Sequence, residues 1–221
     1  MRLLVQPRVV KQALAGASLS TLAAWPRLLG GRSGDDPACF FAGVLFWVSG
    51  CLWAAVFAWH EEYAGRPVLV LRVPAQDWLL VTLAAVAVAG LFAMTLDPLG
   101  RSLRPKDYPA SAGAWVAQAL FNLGFEQLFG YLAPFALFVR LARSVAVAAT
   151  ATVVLRLFML WLQSDAARLA PSATAVLMLA GGRVVMTVLI LWVYLRGGLL
   201  PVWWLGLLMQ ARHLVAMEQS G

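Results

Sequence analysis

The sequence predicts an all-α fold, a polytopic bundle of about six transmembrane helices, and three observations carry that reading. Hydrophobic residues make up 62% of the 221-residue chain and charged residues 12%. A soluble domain runs about 45–50% apolar and about 25% charged. Mean hydropathy is +0.80. Apolar runs of about 20 residues, the length that crosses hydrocarbon, recur along the chain. Ten tryptophans agree with this, because Trp concentrates at bilayer interfaces.

Residues 1–37 read as an N-terminal interfacial segment, followed by a bundle over 38–221. Arg2, Arg8 and Lys11 give a positive start, but Pro7 interrupts it and no signal-peptide pattern follows. Within residues 9–29 the uncharged run Gln12–Pro26 is short and mixed. It suits an amphipathic helix at the interface, with an extra span as the alternative. The first span is Ala38–Trp59, uncharged throughout. The second is Trp78–Leu96, bracketed by Asp77 and Asp97. A turn-rich connection with Pro98, Pro105 and Pro109 leads to the third, Gly113–Val139, which is long and has Pro134 near its end. The fourth is Ser144–Gln163, carrying Arg156. The fifth is Ala173–Leu195, carrying Arg183 beside the Gly181-Gly182 pair, where close helix packing is expected. The sixth is Leu199–Met217, carrying Gln210, Arg212 and His213. Tyr194 and the Trp203-Trp204 pair read as interfacial anchors.

Net charge is +7. In a soluble protein that would suggest nucleic acid. Here the basic residues lie mostly between apolar runs, where they read as topology signals and lipid headgroup contacts, so no nucleic-acid partner is expected. Counting connections with the N-terminus inside puts ten cations on the inner side: Arg2, Arg8, Lys11, Arg27, Arg32, Arg101, Arg104, Lys106, Arg168 and Arg212. Five fall outside: Arg66, Arg72, Arg140, Arg143 and Arg196. The excess predicts both termini in the cytoplasm, in a bacterial inner membrane. Cys39 and Cys51 lie in one helix, about 18 Å apart along its axis, too far to pair. No metal or cofactor motif is present.

The polar residues inside the third span carry the functional question. Gln118, Asn122 and Glu126 are spaced four apart and stack on one helix face, with Gln127 beside them. A carboxylate inside a bilayer is costly, by roughly 2.5–3.5 kcal/mol on insertion scales, so it faces the bundle interior and finds a partner. Arg156, Arg183, Gln163, Gln210 and His213 are the candidates on other helices. Three readings follow: a Glu–Arg pair that fixes helix register, a water-accessible carboxylate that runs chemistry, and a proton or cation site. The last has the least support, because no inverted repeat is evident.

Two blocks carry a resemblance. Phe121-Asn-Leu-Gly-Phe-Glu-Gln-Leu-Phe-Gly-Tyr-Leu, followed by Phe138-Val-Arg-Leu, resembles the E-E-x-x-F-R-G-x-L block of the CAAX-prenyl-protease and bacteriocin-processing family. Trp192-Val-Tyr-Leu-Arg-Gly-Gly-Leu-Leu-Pro-Val-Trp-Trp-Leu-Gly-Leu-Leu is similar to that family's Y-L-R-T-G-S-L-x-P-x-x-L-x-H-x-x-x-N block. The two blocks lie within residues 113–217. The resemblance implies a glutamate-type intramembrane protease fold, with Glu126 as the water-activating base and Gln210 and His213 as candidates for the assisting positions. The implied substrate is a peptide bond in a membrane protein or lipopeptide, with membrane lipids or a larger membrane complex as other partners. The motifs depart from the family pattern. Aligning on Leu128-Phe129 puts Phe125 and Glu126 at the paired glutamates and Gly130 at the arginine. The middle F-x-x-x-H motif would fall at Phe158, with Leu162 at the histidine and Gln163 one residue beyond. Anchoring the last block on Pro201 puts Gly206 at the histidine and Gln210 at the asparagine; a shift of three gives Met209 and His213. Peptide hydrolysis needs a base, a positioned water and an oxyanion donor. A chain without the family histidines is expected to be a divergent or inactive relative.

Overall fold

A computed structural model of the chain describes residues 3–30, 38–103, 105, 108–166 and 172–218. Among the described residues the regular structure is helical throughout, as composition predicts. Seven continuous helices are present among them. They are α1 (Pro7–Gly30), α2 (38–64), α3 (Ala75–Leu103), α4 (112–142), α5 (Val145–Ala166), α6 (Ala173–Gly197) and α7 (Leu199–Glu218). Arg2, Arg32, Arg104, Lys106 and Arg168, which enter the orientation count, lie outside the described residues.

Four helices are long and apolar enough to cross a bilayer: Cys39–Ala64, Ala75–Leu103, Val145–Gln163 and Ala173–Gly197. They correspond to the first, second, fourth and fifth expected spans, and they make the chain an integral membrane protein. The third and sixth expected spans are helical but are not among those four. Gln118, Asn122, Glu126 and Gln127 lower the hydropathy of α4.

The chain divides into two compact units, residues 1–68 with 116–148, and 69–115 with 149–221. In the first, α1 lies antiparallel along α2. Its buried positions Val9, Ala13, Ala17, Ser20 and Ala24 recur at helical spacing and are mostly small. Small side chains let two backbones approach closely. At Gly16 a Cβ would sit 2.7 Å from the Trp53 indole, and Ala17 faces Gly50. Trp53 Nε1 donates to Ser20 Oγ at 3.0 Å, and Ser20 Oγ donates to the carbonyl of Gly124 at 2.5 Å. Gly124 has no room for a side chain against Ala23 and the Ser20 backbone. Leu128, Leu132, Phe135, Ala136 and Val139 complete the core on α4.

The second unit is built on α3, α6 and α7. Val81, Ala85, Ala89 and Phe92 form one buried stripe of α3. Ile190, Leu191 and Val193 on α6 and Val202, Leu205 and Met209 on α7 supply the other buried faces. The α6–α7 hairpin turns at Gly198, whose φ of +73° suits glycine and whose N–H donates to the Tyr194 carbonyl at 2.9 Å. Tyr194 corrects one expectation. It is not an interfacial anchor but one of the largest fully buried side chains, enclosed where the hairpin closes. Of the glycine pair, Gly182 packs closely against Leu96 and Phe92, while Gly181 faces open space. Cys39 and Cys51 are exposed and free.

Candidate functional site

Glu126 lies in an irregular stretch. The α4 backbone widens into two π-helical turns, Asn122–Glu126 and Leu128–Leu132, before returning to α-helix at Ala133. Pro134 has no N–H to return to the carbonyl one turn earlier, which favours a loosened ladder just before it. π-turns are rare and frequently mark functional positions. Glu126 is half-buried, and Asn122 Nδ2 donates to its Oε2 at 2.7 Å. The polar stripe expected on this helix therefore forms a bond along itself. Gln118 is half-buried on the same helix, and Gln127 is buried with 1% exposure.

The remaining expected residues belong to the second unit. Arg156 is buried on α5, Gln163 is exposed near the end of that helix, and Arg183 is half-buried on α6. Gln163 is thus not held as the buried donor that a middle motif would require. Gln210 and His213 are both buried on α7, one turn apart. The Gln210 carbonyl accepts from Trp115 Nε1 at 2.8 Å. Within its own unit Glu126 is joined by Asn122, and neither of the expected assisting residues is part of that unit.

Among the described residues of the second unit, the densest ionic arrangement surrounds a residue read only as a span boundary. Asp97, 5% exposed near the C-terminal end of α3, receives Arg212 Nε at 2.9 Å and Arg212 Nη2 at 3.2 Å, one on each carboxylate oxygen. This is the two-pronged geometry that makes arginine–carboxylate pairs strong. Arg212 also donates to the Met209 carbonyl one turn back, which fixes the guanidinium. His213 Nδ1 lies 3.9 Å from Asp97 Oδ2. Tyr108 donates a long bond of 3.4 Å to Asp97 Oδ1, and its ring meets His213 edge-on with centroids 5.2 Å apart. Arg101, one turn beyond Asp97, places its guanidinium 5.3 Å from the Tyr108 ring centroid. Burial, and then the Asp97 charge, push the Tyr108 hydroxyl up to about 12, so it stays a donor throughout the neutral range. Gly100 leaves the space that the Tyr108 hydroxyl occupies.

The other end of α3 is built differently. Asp77 accepts from Arg196 Nε at 2.5 Å, with the arginine side chain 47% exposed. Trp204 Nε1 donates to Thr82 Oγ1 at 2.9 Å, and Trp204 meets Trp78 edge-on. Asp77 and Asp97 are twenty positions apart on one helix, about 30 Å at 1.5 Å per residue, which is the hydrocarbon thickness. A tryptophan belt with a balanced ion pair marks one end, and the Asp97 cluster marks the other.

Sequence reasoning named His213 and Gln210 but missed Asp97, Arg101, Tyr108 and Arg212 as a set. The available signals were an aspartate closing an apolar run immediately before Pro98, and an arginine four residues on. Among the described residues no three His, Cys, Asp or Glu side chains converge on a metal site. Comparison with protein-family models, with curated proteins and with solved structures gave no match.

Proposed function

We propose that the chain is a divergent relative of the CAAX-prenyl-protease and bacteriocin-processing family that serves as a membrane scaffold and not as a peptidase. The two sequence blocks support the relationship. The observation that carries the scaffold reading is the two-pronged Arg212–Asp97 pair, which ties α7 to α3. His213 is buried beside that pair and against the Tyr108 ring. A group that serves as an oxyanion donor must be aimed at empty space where substrate charge develops. Side chains packed into a cluster around Asp97 serve helix placement instead. Paired intramembrane charges facing the protein interior fit the same role.

The test is peptide release by the purified full chain in proteoliposomes, using a labelled single-span peptide, with Glu126→Gln beside the native protein. The scaffold reading expects no release above empty liposomes from either. Release by the native chain that disappears in E126Q would overturn it. The π-helical turns around Glu126 are the one observation that favours the peptidase reading. The same comparison decides between the two.

A further inference from the structure

We infer that the Asp97 end of the second unit binds the phosphate of an anionic phospholipid headgroup through Arg101, with Tyr108 and His213 lining the site. The inference is independent of whether the chain is a scaffold or a peptidase.

Charge balance is the first support. Asp97 is the single described carboxylate in this cluster, and both its oxygens are taken by Arg212. Arg101 therefore remains as a second cation that Asp97 does not neutralise. The α3 C-terminus adds a partial negative charge of about half a unit, which the surplus guanidinium exceeds. At the opposite end, Asp77 pairs with Arg196.

Unmet hydrogen-bonding capacity is the second support. Arg101 Nε is buried and has no hydrogen-bond partner. His213 is 4% exposed, and its Nδ1 also lacks a hydrogen bond, lying 3.9 Å from Asp97. Both sit around the Tyr108 ring, which stacks under Arg101 and meets His213 edge-on. Tyr108 directs its one proton at Asp97, so its ring frames the site and the guanidinium of Arg101 is the donor. A guanidinium fork matches phosphate oxygens well.

Location selects the source. The cluster stands one hydrocarbon thickness from the tryptophan end of α3, at the depth of a headgroup layer. The positive-inside count places this end at the cytoplasmic leaflet, where anionic lipids concentrate.

The experiment is native mass spectrometry of the full chain, delipidated in detergent, with phosphatidylglycerol or phosphatidylcholine added. The native protein is expected to retain phosphatidylglycerol about five-fold better, the effect of one cation near a membrane surface. Arg101→Gln removes that preference, Arg101→Lys keeps most of it, and Arg196→Gln at the far end leaves it unchanged. Equal retention of the two lipids by the native chain, or an undiminished preference in R101Q, overturns the inference. Displacement of phosphatidylglycerol by millimolar inorganic phosphate overturns the assignment to a lipid.

Discussion

Replacing Asp97 by alanine removes the carboxylate that holds α3 to α7. The Asp97 side chain is 7% exposed and the Arg212 side chain 17%. Breaking a buried pair by deleting one partner costs about 3–5 kcal/mol, because the other charge is left without compensation. Arg212 keeps its bond to the Met209 carbonyl and has some access outward, so the lower figure of about 3 kcal/mol applies. Tyr108 and His213 contribute little to that loss, since their distances to Asp97 are 3.4 and 3.9 Å. The assay is reversible unfolding in mixed micelles, followed by tryptophan fluorescence. The double variant Asp97→Leu with Arg212→Met is expected to recover to within about 1 kcal/mol of the native chain, because apolar replacement of a whole buried pair is often neutral. A loss under about 1 kcal/mol for D97A alone, or a double variant as damaged as the single one, would refute the reasoning.

The second pair on α3 behaves differently. Arg196→Ala changes stability by less than about 1 kcal/mol in the same assay, because its side chain is 47% exposed. Ser20→Ala strands the Trp53 indole N–H and the Gly124 carbonyl and costs about 1–3 kcal/mol. Tyr108 gives a pH signature. Its folded value near 12 lies above the usual 10, so the folded state holds the proton more tightly. Its stabilising contribution is complete below pH 10 and is lost between about pH 10 and 12. A stability titration of Tyr108→Phe lacks that decline.

Hydrophobic length is a local property, and so the span Ala173–Gly197 could be read from sequence almost to its ends, while Ala75–Leu103 could be located but continues past its expected end at Leu96, through Pro98. The cost of polar groups in lipid is local too, which drew attention to Glu126 at once. What could not be read are facts set by packing at a distance. Asp97 and Arg212 are 115 positions apart, and nothing in either neighbourhood names the other. Tyr194 has the amphipathic character of an interface residue, yet it is fully buried one turn before the glycine turn at Gly198. The widening of α4 at Asn122 and Leu128 leaves no mark in helical periodicity, since Gln118, Asn122 and Glu126 keep a four-residue spacing through it. The small-residue face of α1 fits a close protein contact, but only the position of Trp53 and Gly124 explains why Gly16 and Ser20 stand where they do.

The most direct test of the claim that the Glu126 carboxylate serves architecture is the unfolding free energy of Glu126→Ala against the native chain. The 2.7 Å bond from Asn122 is half-buried, and its loss is expected to destabilise the protein by about 1 kcal/mol. Residues poised for catalysis are commonly held at a cost to stability, so their removal tends to be neutral or stabilising. An E126A protein that is as stable as the native chain, or more stable, would contradict the account.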